Sequence, residues 1–467
     1  MTIWTPDLSS ARGSSARGPL YLAIAQAIAA DVASGRLAPG DRLPPHRELA
    51  YRLGVTVGTV SRAYAEAERR NMITGEVGRG TYVQGDAVGK TELAIPKREE
   101  SGLVDLSFNL PASGDQARRL ADALRNLAGS AELSSLLDYQ PSAGMPAHRA
   151  AGARWVSRWG LDASPEAVVV TNGAQHGMMV VISAIARPGD LVLCESLTFP
   201  GMKALANLMN LRLQGLAMDQ EGIVPEAFEA ACRKGAPKAL YCMPTLQNPT
   251  TACMSEARRE AIAEIALRHG VAIIEDDVYG FLPEKRPSLL AALAPERFFL
   301  VISVSKSIAP GLRVGYVHAP RGMVERVAGA VRASTWMATP LSAAIATLWI
   351  EDGTADELAS FQRREAAARQ EIARRVLGRF DIQSRPASMH LWLRLPEPWR
   401  AEQFAAQSRS RGTAVMPAEV FVVGRAPPPH AVRVCLAAVH DHDRLERGLS
   451  LLVDVLDRGP DPSLTVV

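Results

Sequence analysis

The sequence has almost no imbalance of charge: 52 Lys and Arg against 49 Asp and Glu leave a formal +3 over 467 residues. Bulk charge therefore gives no argument for a polyanionic partner. Long apolar runs are missing too. None reaches the ~18 residues of a membrane-spanning helix, so no span is expected. Leu20–Val32 is apolar enough to resemble a secretion signal, but Gln26 interrupts it, Asp31 closes it and no cleavage pattern follows, so it reads as a helix. Cysteine is scarce. Cys194, Cys232, Cys242, Cys253 and Cys435 are scattered, odd in number and form no C-x-x-C pair. They are expected to be reduced, mostly buried thiols of a cytoplasmic protein, and no metal site is expected.

What is present is ordinary in bulk and uneven in detail. Hydrophobic residues make up 47% and charged residues 22%, as in globular proteins, and the length suggests two or three units. Residues 1–90 hold 11 Lys and Arg against 8 Asp and Glu, so the whole formal excess sits in the first fifth of the chain. The expected organisation is a mobile arm over 1–18, a first unit over 19–84, a polar linker over 85–102, a large unit over 103–455 and a tail over 456–467. In the first unit the spacing of Leu20, Ile24, Ala27 and Ile28 predicts a helix after Pro19. A turn at Leu37–Pro45 follows, then helices over Arg47–Leu53 and Val57–Arg70, the latter capped by Thr56, and two short strands within 72–83.

In the large unit, apolar runs at 168–172, 191–195, 239–244, 271–277 and 299–305 alternate with helical stretches. Continuous apolar strands between helices predict a mainly parallel sheet covered on both faces, hence an α/β fold. A long amphipathic helix is expected over 354–376, leading into a final α+β segment.

Two helices meeting at Gly54, followed by a hairpin, suggest a winged helix-turn-helix, whose later helix enters the major groove of double-stranded DNA. Thr59 and Arg62 share a face of that helix. Arg47 opens the preceding helix within reach of phosphate, and Arg79 sits at the wing tip between Gly78 and Gly80. Taken singly, each Arg reads as a solvated charge. The run LPPHRELAYRLGVTVGTVSRAYAEAERRNMITGEVGRGTYV (43–83), however, resembles the DNA-binding domain of GntR-family repressors. Relatives carry Arg where Val57 stands, so contacts must lean on Thr59, Arg62 and the wing.

A second constellation lies at the ends of the expected strands, where open α/β sheets bind ligands. In chain order these are Asn172-Gly173-Ala174-Gln175, Phe199, Asn248, Asp276 with Tyr279, and Lys306 with Ser303, Ser305 and Arg313. Each alone has a plainer reading: a turn for Asn248-Pro249, core for Phe199, surface for Lys306. Together they supply what pyridoxal 5′-phosphate needs: an amine, an anion beside the pyridine nitrogen, an aromatic plate, a donor to the ring oxygen and a phosphate cradle.

This order resembles the fold-type I aminotransferases over about residues 103–450. The resemblance implies that Lys306 is the catalytic residue carrying the cofactor as a Schiff base and that Asp276 pairs with the pyridinium. It implies further that Asn248 and Tyr279 contact the ring oxygen and that Phe199 stacks on the ring. Ala174, Gln175, Ser303, Ser305 and Arg313 would bind the phosphate. Tyr139 would reach the neighbouring subunit's phosphate, implying a homodimer, and Arg433 would clamp a substrate carboxylate. Two departures stand out. Ala174 replaces a hydroxyl residue, and Thr251 stands where relatives have Gly, so the turn is expected to differ because a β-branched residue avoids positive φ.

A winged helix before an aminotransferase-like domain resembles the MocR-type subfamily of GntR regulators. It implies a cytoplasmic, pyridoxal-phosphate-dependent transcriptional regulator that senses an amine or amino acid through external aldimine formation. One alternative is an active aminotransferase carrying a DNA-binding domain; another is a regulator whose ligand is the cofactor itself.

Overall fold

A computed structural model describes residues 4–6, 19–34, 36–37, 41–69, 72–76, 80–83, 102–131, 133–424 and 427–461. Contacts divide the chain into two compact units, Met1–Ala94 and Ile95–Val467.

The first unit opens with α1 (Leu20–Ala33), β1 (Arg42–Leu43), α2 (His46–Leu53) and α3 (Val57–Arg69), and closes with β2 (Ile73–Glu76) and β3 (Gly80–Val83). Gly54 ends α2 in the left-handed conformation, φ 64°, the backbone that glycine adopts without strain. Thr56 then caps α3, its Oγ1 accepting from the Thr59 amide at 3.2 Å, as its position before the apolar periodicity suggests. The expected turn at 37–45 contains a strand: β1 pairs antiparallel with β3, Arg42 opposite Tyr82, because Pro44 and Pro45 favour an extended approach to α2. Ile24, Ile28, Leu49, Val60, Tyr64, Ile73 and Val83 form one core. Tyr64 also donates to the Pro44 carbonyl at 2.9 Å, fixing α3 to the entry of α2.

In the second unit a seven-stranded sheet comprises β4 (Val168–Thr171), β5 (Leu191–Glu195), β6 (Arg212–Leu216), β7 (Ala239–Cys242), β8 (Ala272–Asp276), β9 (Phe299–Ser303) and β10 (Gly315–His318). Its order is β4-β10-β9-β8-β7-β5-β6. All neighbours are parallel except β10, which runs antiparallel to both β9 and β4. Every residue of β4, β7 and β9 is buried, as apolar strands covered on two faces must be. The five apolar runs became strands. The two missed are β10, a four-residue strand, and β6, a half-exposed edge strand of mixed polarity.

A smaller antiparallel sheet holds β11 (Ile382–Gln383), β12 (His390–Arg394), β13 (Met416–Pro417) and β14 (Ala431–Cys435), in the order β11-β12-β14-β13. The long helix Thr354–Leu377 precedes it, and the last helix, His442–Arg458, runs past the expected end of the unit near 455. Among the described residues no helix is long and apolar enough to cross a membrane.

Candidate functional site

The parallel strands β5, β7, β8 and β9 end side by side, so the residues just beyond them converge. Asp276 closes β8, buried. Tyr241 of β7 donates to its Oδ2 at 2.8 Å, while Oδ1 is buried with no partner. Burial pushes the Asp276 carboxyl up to about 7, with Asp277 adding to the rise. Three residues after β9, half-buried Lys306 donates from Nζ to the Asn109 backbone carbonyl. Burial lowers its amine from the ordinary 10.5 to about 8.

Arg433 comes from the other sheet, from the middle of β14. It is only 5% exposed. Nη1 donates to Asn248 Oδ1 at 2.7 Å and Nη2 to the Ser107 carbonyl at 2.6 Å, and its carbon end lies over Phe421 at 4.9 Å. Its Nε is buried without a partner. Tyr279 is buried in the same cluster, its hydroxyl 2.9 Å from Asn109 Nδ2. Lys306, Asp276, Tyr279, Asn248 and Arg433 thus stand together.

A second group forms where β4 turns into the helix Ala174–Ile185. Gly173 caps that helix at φ 83°. A Cβ there would meet Arg313 Nη2 at 2.7 Å, so glycine is what lets the guanidinium lie against the helix N-terminus. The antiparallel strand β10 brings the pieces together: Gly315 pairs with Thr171 on one side and Ser303 on the other. Ser303 Oγ donates to the Val314 carbonyl at 3.0 Å and accepts from the Ser305 amide at 3.1 Å, while Arg313 Nη1 reaches Ser305 Oγ at 3.4 Å. The Ser303 hydroxyl is therefore committed within the loop. Gln175 is held as well: its Nε2 donates to the Gly201 carbonyl at 3.0 Å, and its backbone N–H, beside that of Ala174, belongs to the first turn of the helix, whose amides have no partner within the helix. A Cβ at Gly201 would lie 2.3 Å from both Gln175 Oε1 and Phe199 Cε1, so that glycine admits the ring of half-buried Phe199.

Tyr139 stays apart. It is 82% exposed and meets only the Trp336 ring, at 5.5 Å, among the contacts described. The Thr251 turn departs from expectation: the β-branched residue does adopt positive φ, 61°, fully buried, with its amide bonded to the Gln247 carbonyl at 2.7 Å. The surrounding turn, closed by that hydrogen bond, imposes the conformation on Thr251 despite its local cost.

Sequence reasoning missed Ser107, Asn109, Tyr241, Gln247, His390 and Phe421. His390, a lone histidine in the apolar strand SMHLW, was the one visible signal; the others become neighbours only through the fold.

In the first unit, Arg47 and Arg62 are exposed, as is Val57. His46 Nδ1 lies 3.0 Å from Ser61 Oγ, which brings the backbones of the adjoining Arg47 and Arg62 near each other. The Thr59 hydroxyl lies 2.9 Å from that of Thr56, so it is partly engaged in the cap. Arg79 lies outside the described residues.

The groups present fit pyridoxal 5′-phosphate: Asp276 Oδ1 as an acceptor for the ring N–H, a half-buried amine of lowered basicity, and a glycine-lined helix N-terminus beside a guanidinium. The fold and this cluster define a fold-type I, α/β aminotransferase-like domain joined to a winged helix. Residues 101–452 match the aminotransferase class I and II family and residues 20–83 the bacterial regulatory proteins of the gntR family. The chain belongs to the aminotransferase class I and II family, in the MocR-type arrangement with a GntR winged helix in front. It is 29% identical to the HTH-type transcriptional regulator YdeF of Bacillus subtilis, covering 97% of both chains. It is 26% identical to the vitamin B6 salvage pathway transcriptional repressor PtsJ of Salmonella typhimurium, covering 90% of this chain and 95% of that one. An archaeal alanine:glyoxylate aminotransferase superposes with a TM-score of 0.73 at 22% identity, covering 85% of this chain and 99% of that one. The fold implies pyridoxal 5′-phosphate, and the winged helix implies DNA binding.

Proposed function

We propose that this protein is a transcriptional regulator whose response is set by an amine or amino acid that displaces Lys306 from bound pyridoxal 5′-phosphate. The observation that carries this is the convergence of Lys306, Asp276, Tyr279, Asn248 and Arg433 in a chain that also bears a winged helix. When bound, the cofactor supplies a carbonyl carbon that exchanges amines and a ring that withdraws electrons.

The residues divide that task. The lowered basicity of Lys306 keeps part of its amine neutral near pH 7 and so able to bond covalently. Asp276 offers Oδ1 to a protonated ring nitrogen, held in place by Tyr241 at Oδ2. Tyr279 and Asn248 serve the ring oxygen, and Phe199 covers the ring. The backbone N–H groups of Ala174 and Gln175, with Ser305 and Arg313, hold the phosphate, and Ser303 fixes the loop that carries Ser305. Arg433, with Nε still open, takes a carboxylate. In the first unit Arg47, Thr59 and Arg62 serve the DNA contact, with Arg79 as the further candidate that the sequence offers.

Homodimerisation, with Tyr139 reaching the partner's phosphate, is supported by exposed apolar side chains. Leu133, Leu137, Tyr139, Trp336 and Leu341 sit on segments in contact with one another.

The test uses Lys306→Ala in the full chain. The variant is expected to lose the visible absorbance of covalently held cofactor and any amine-dependent change in binding to the DNA upstream of its own gene. Retention of an amine-dependent change would sink the reading. Transaminase turnover is the second reading, favoured by a lysine already poised to exchange a proton near neutral pH. Conversion of a stoichiometric amino acid to its 2-oxo acid separates the two. A DNA response to cofactor alone, with no amine, would instead make the cofactor the ligand.

A further inference from the structure

Asn109 is 9% exposed and lies between two rings. Its Nδ2 is 2.9 Å from Tyr279 Oη and 3.0 Å from His390 Nδ1, and His390 Nε2 is 3.2 Å from the Gln247 carbonyl. The direction of each hydrogen follows from the acceptors. A carbonyl only accepts, so His390 Nε2 carries the hydrogen. Burial, with Arg433 and Lys306 adding to it, drives the imidazole pKa down to about 3, so the ring is neutral and Nδ1 bears a lone pair. That lone pair takes one hydrogen of Asn109 Nδ2; an amide turned over would set two acceptors face to face. The second hydrogen of the same nitrogen goes to Tyr279 Oη. Asn109 Oδ1 is then left buried with no partner, as observed. Tyr279 accepts from Asn109, so its own hydrogen is directed to another acceptor.

We propose that Gln247, His390 and Asn109 form a positioning relay that makes Tyr279 a one-way donor to the cofactor's phenolic oxygen, holding that oxygen as an anion. The inference rests on the cofactor reading above and adds residues that the sequence did not single out. None of the three need touch the cofactor; they act through Tyr279.

The test is a pH titration of the visible absorbance of full-length protein loaded with pyridoxal 5′-phosphate. A donor to the phenolic oxygen draws its charge away from the neighbouring covalent nitrogen and lowers that nitrogen's proton affinity. Tyr279→Phe should therefore raise the titration midpoint by about one pH unit, roughly tenfold in proton affinity. Asn109→Asp should do the same with Tyr279 intact, because a carboxylate captures the tyrosine hydrogen. His390→Leu, which frees the amide to turn, should also raise the midpoint. His390→Gln should restore it, since an amide can accept from Asn109 and donate to the Gln247 carbonyl. If Asn109→Asp does not fold, the two His390 variants decide. The relay is overturned if Tyr279→Phe moves the midpoint while His390→Leu does not, or if His390→Gln moves it as far as His390→Leu. If the wild type gives no Lys306-dependent band, the cofactor reading itself has failed; if the band is there and Tyr279→Phe leaves the midpoint in place, the relay alone is overturned.

Discussion

Lys306 is a base whose strength is set by its surroundings. Burial lowers its amine to about 8, with Arg433 and Arg313 nearby acting in the same direction against Cys435 and Asp276. The sign matters for loading. A group whose charged form is disfavoured is neutral at lower pH, and only the neutral amine attacks a carbonyl. Capture of pyridoxal 5′-phosphate by Lys306 should therefore rise about tenfold per pH unit below about pH 8 and level off above it. Stopped-flow absorbance across pH 6–10 reads this directly; a rate still rising at pH 10 would mean an ordinary surface lysine. In the sequence Lys306 was legible only as an expectation, through its place in an ordered set at strand ends, since alone it reads as a surface lysine. The Asn109 carbonyl that receives its hydrogen was not, because a backbone group has no signature in the residue type.

At the scale of elements, the tight turn after β7 bears the clearest local conflict. Thr251 holds φ 61°, and its Oγ1 is buried without a partner. Left-handed backbone at a β-branched residue costs about 1–2 kcal/mol, and an empty buried hydroxyl adds about 1 kcal/mol or more. The buried methyl returns part of this, about 1 kcal/mol. Thr251→Gly is accordingly expected to stabilise the protein by about 1 kcal/mol in chemical denaturation; a loss of stability would show that packing of the methyl governs the turn. This position also shows where sequence reasoning stops. Steric preference for a residue type is readable, but the packing that overrides it comes from strands far apart in the chain. Apolar runs such as 299–305 announced buried strands for the same reason in reverse: a strand covered on both faces leaves a continuous mark. Strand β10, GYVH, leaves none, since its glycine and histidine break the apolar run. Yet its Gly315 is what sets Thr171 and Ser303 on either side of one backbone.

For the whole molecule, the proposed homodimer makes a quantitative claim. Leu137 is 89% exposed and belongs with Leu133, Tyr139, Trp336 and Leu341 to the set of exposed apolar side chains that supports this interface. Leu137→Asp removes no intrachain core contact, so far-UV circular dichroism should be unchanged, while self-association measured by sedimentation velocity should weaken about tenfold or more. Unchanged association would move the interface elsewhere. Stability at this scale also bears on Asn109. An acceptor sealed away empty costs about 1–3 kcal/mol, a sizeable share of the roughly 5–15 kcal/mol that keeps a domain folded. Selection for durability alone would fill that position with a group of matched polarity or with a hydrocarbon. Screens for thermostable variants should therefore recover substitutions at Asn109, and their spectral titrations should reveal what the added robustness has displaced.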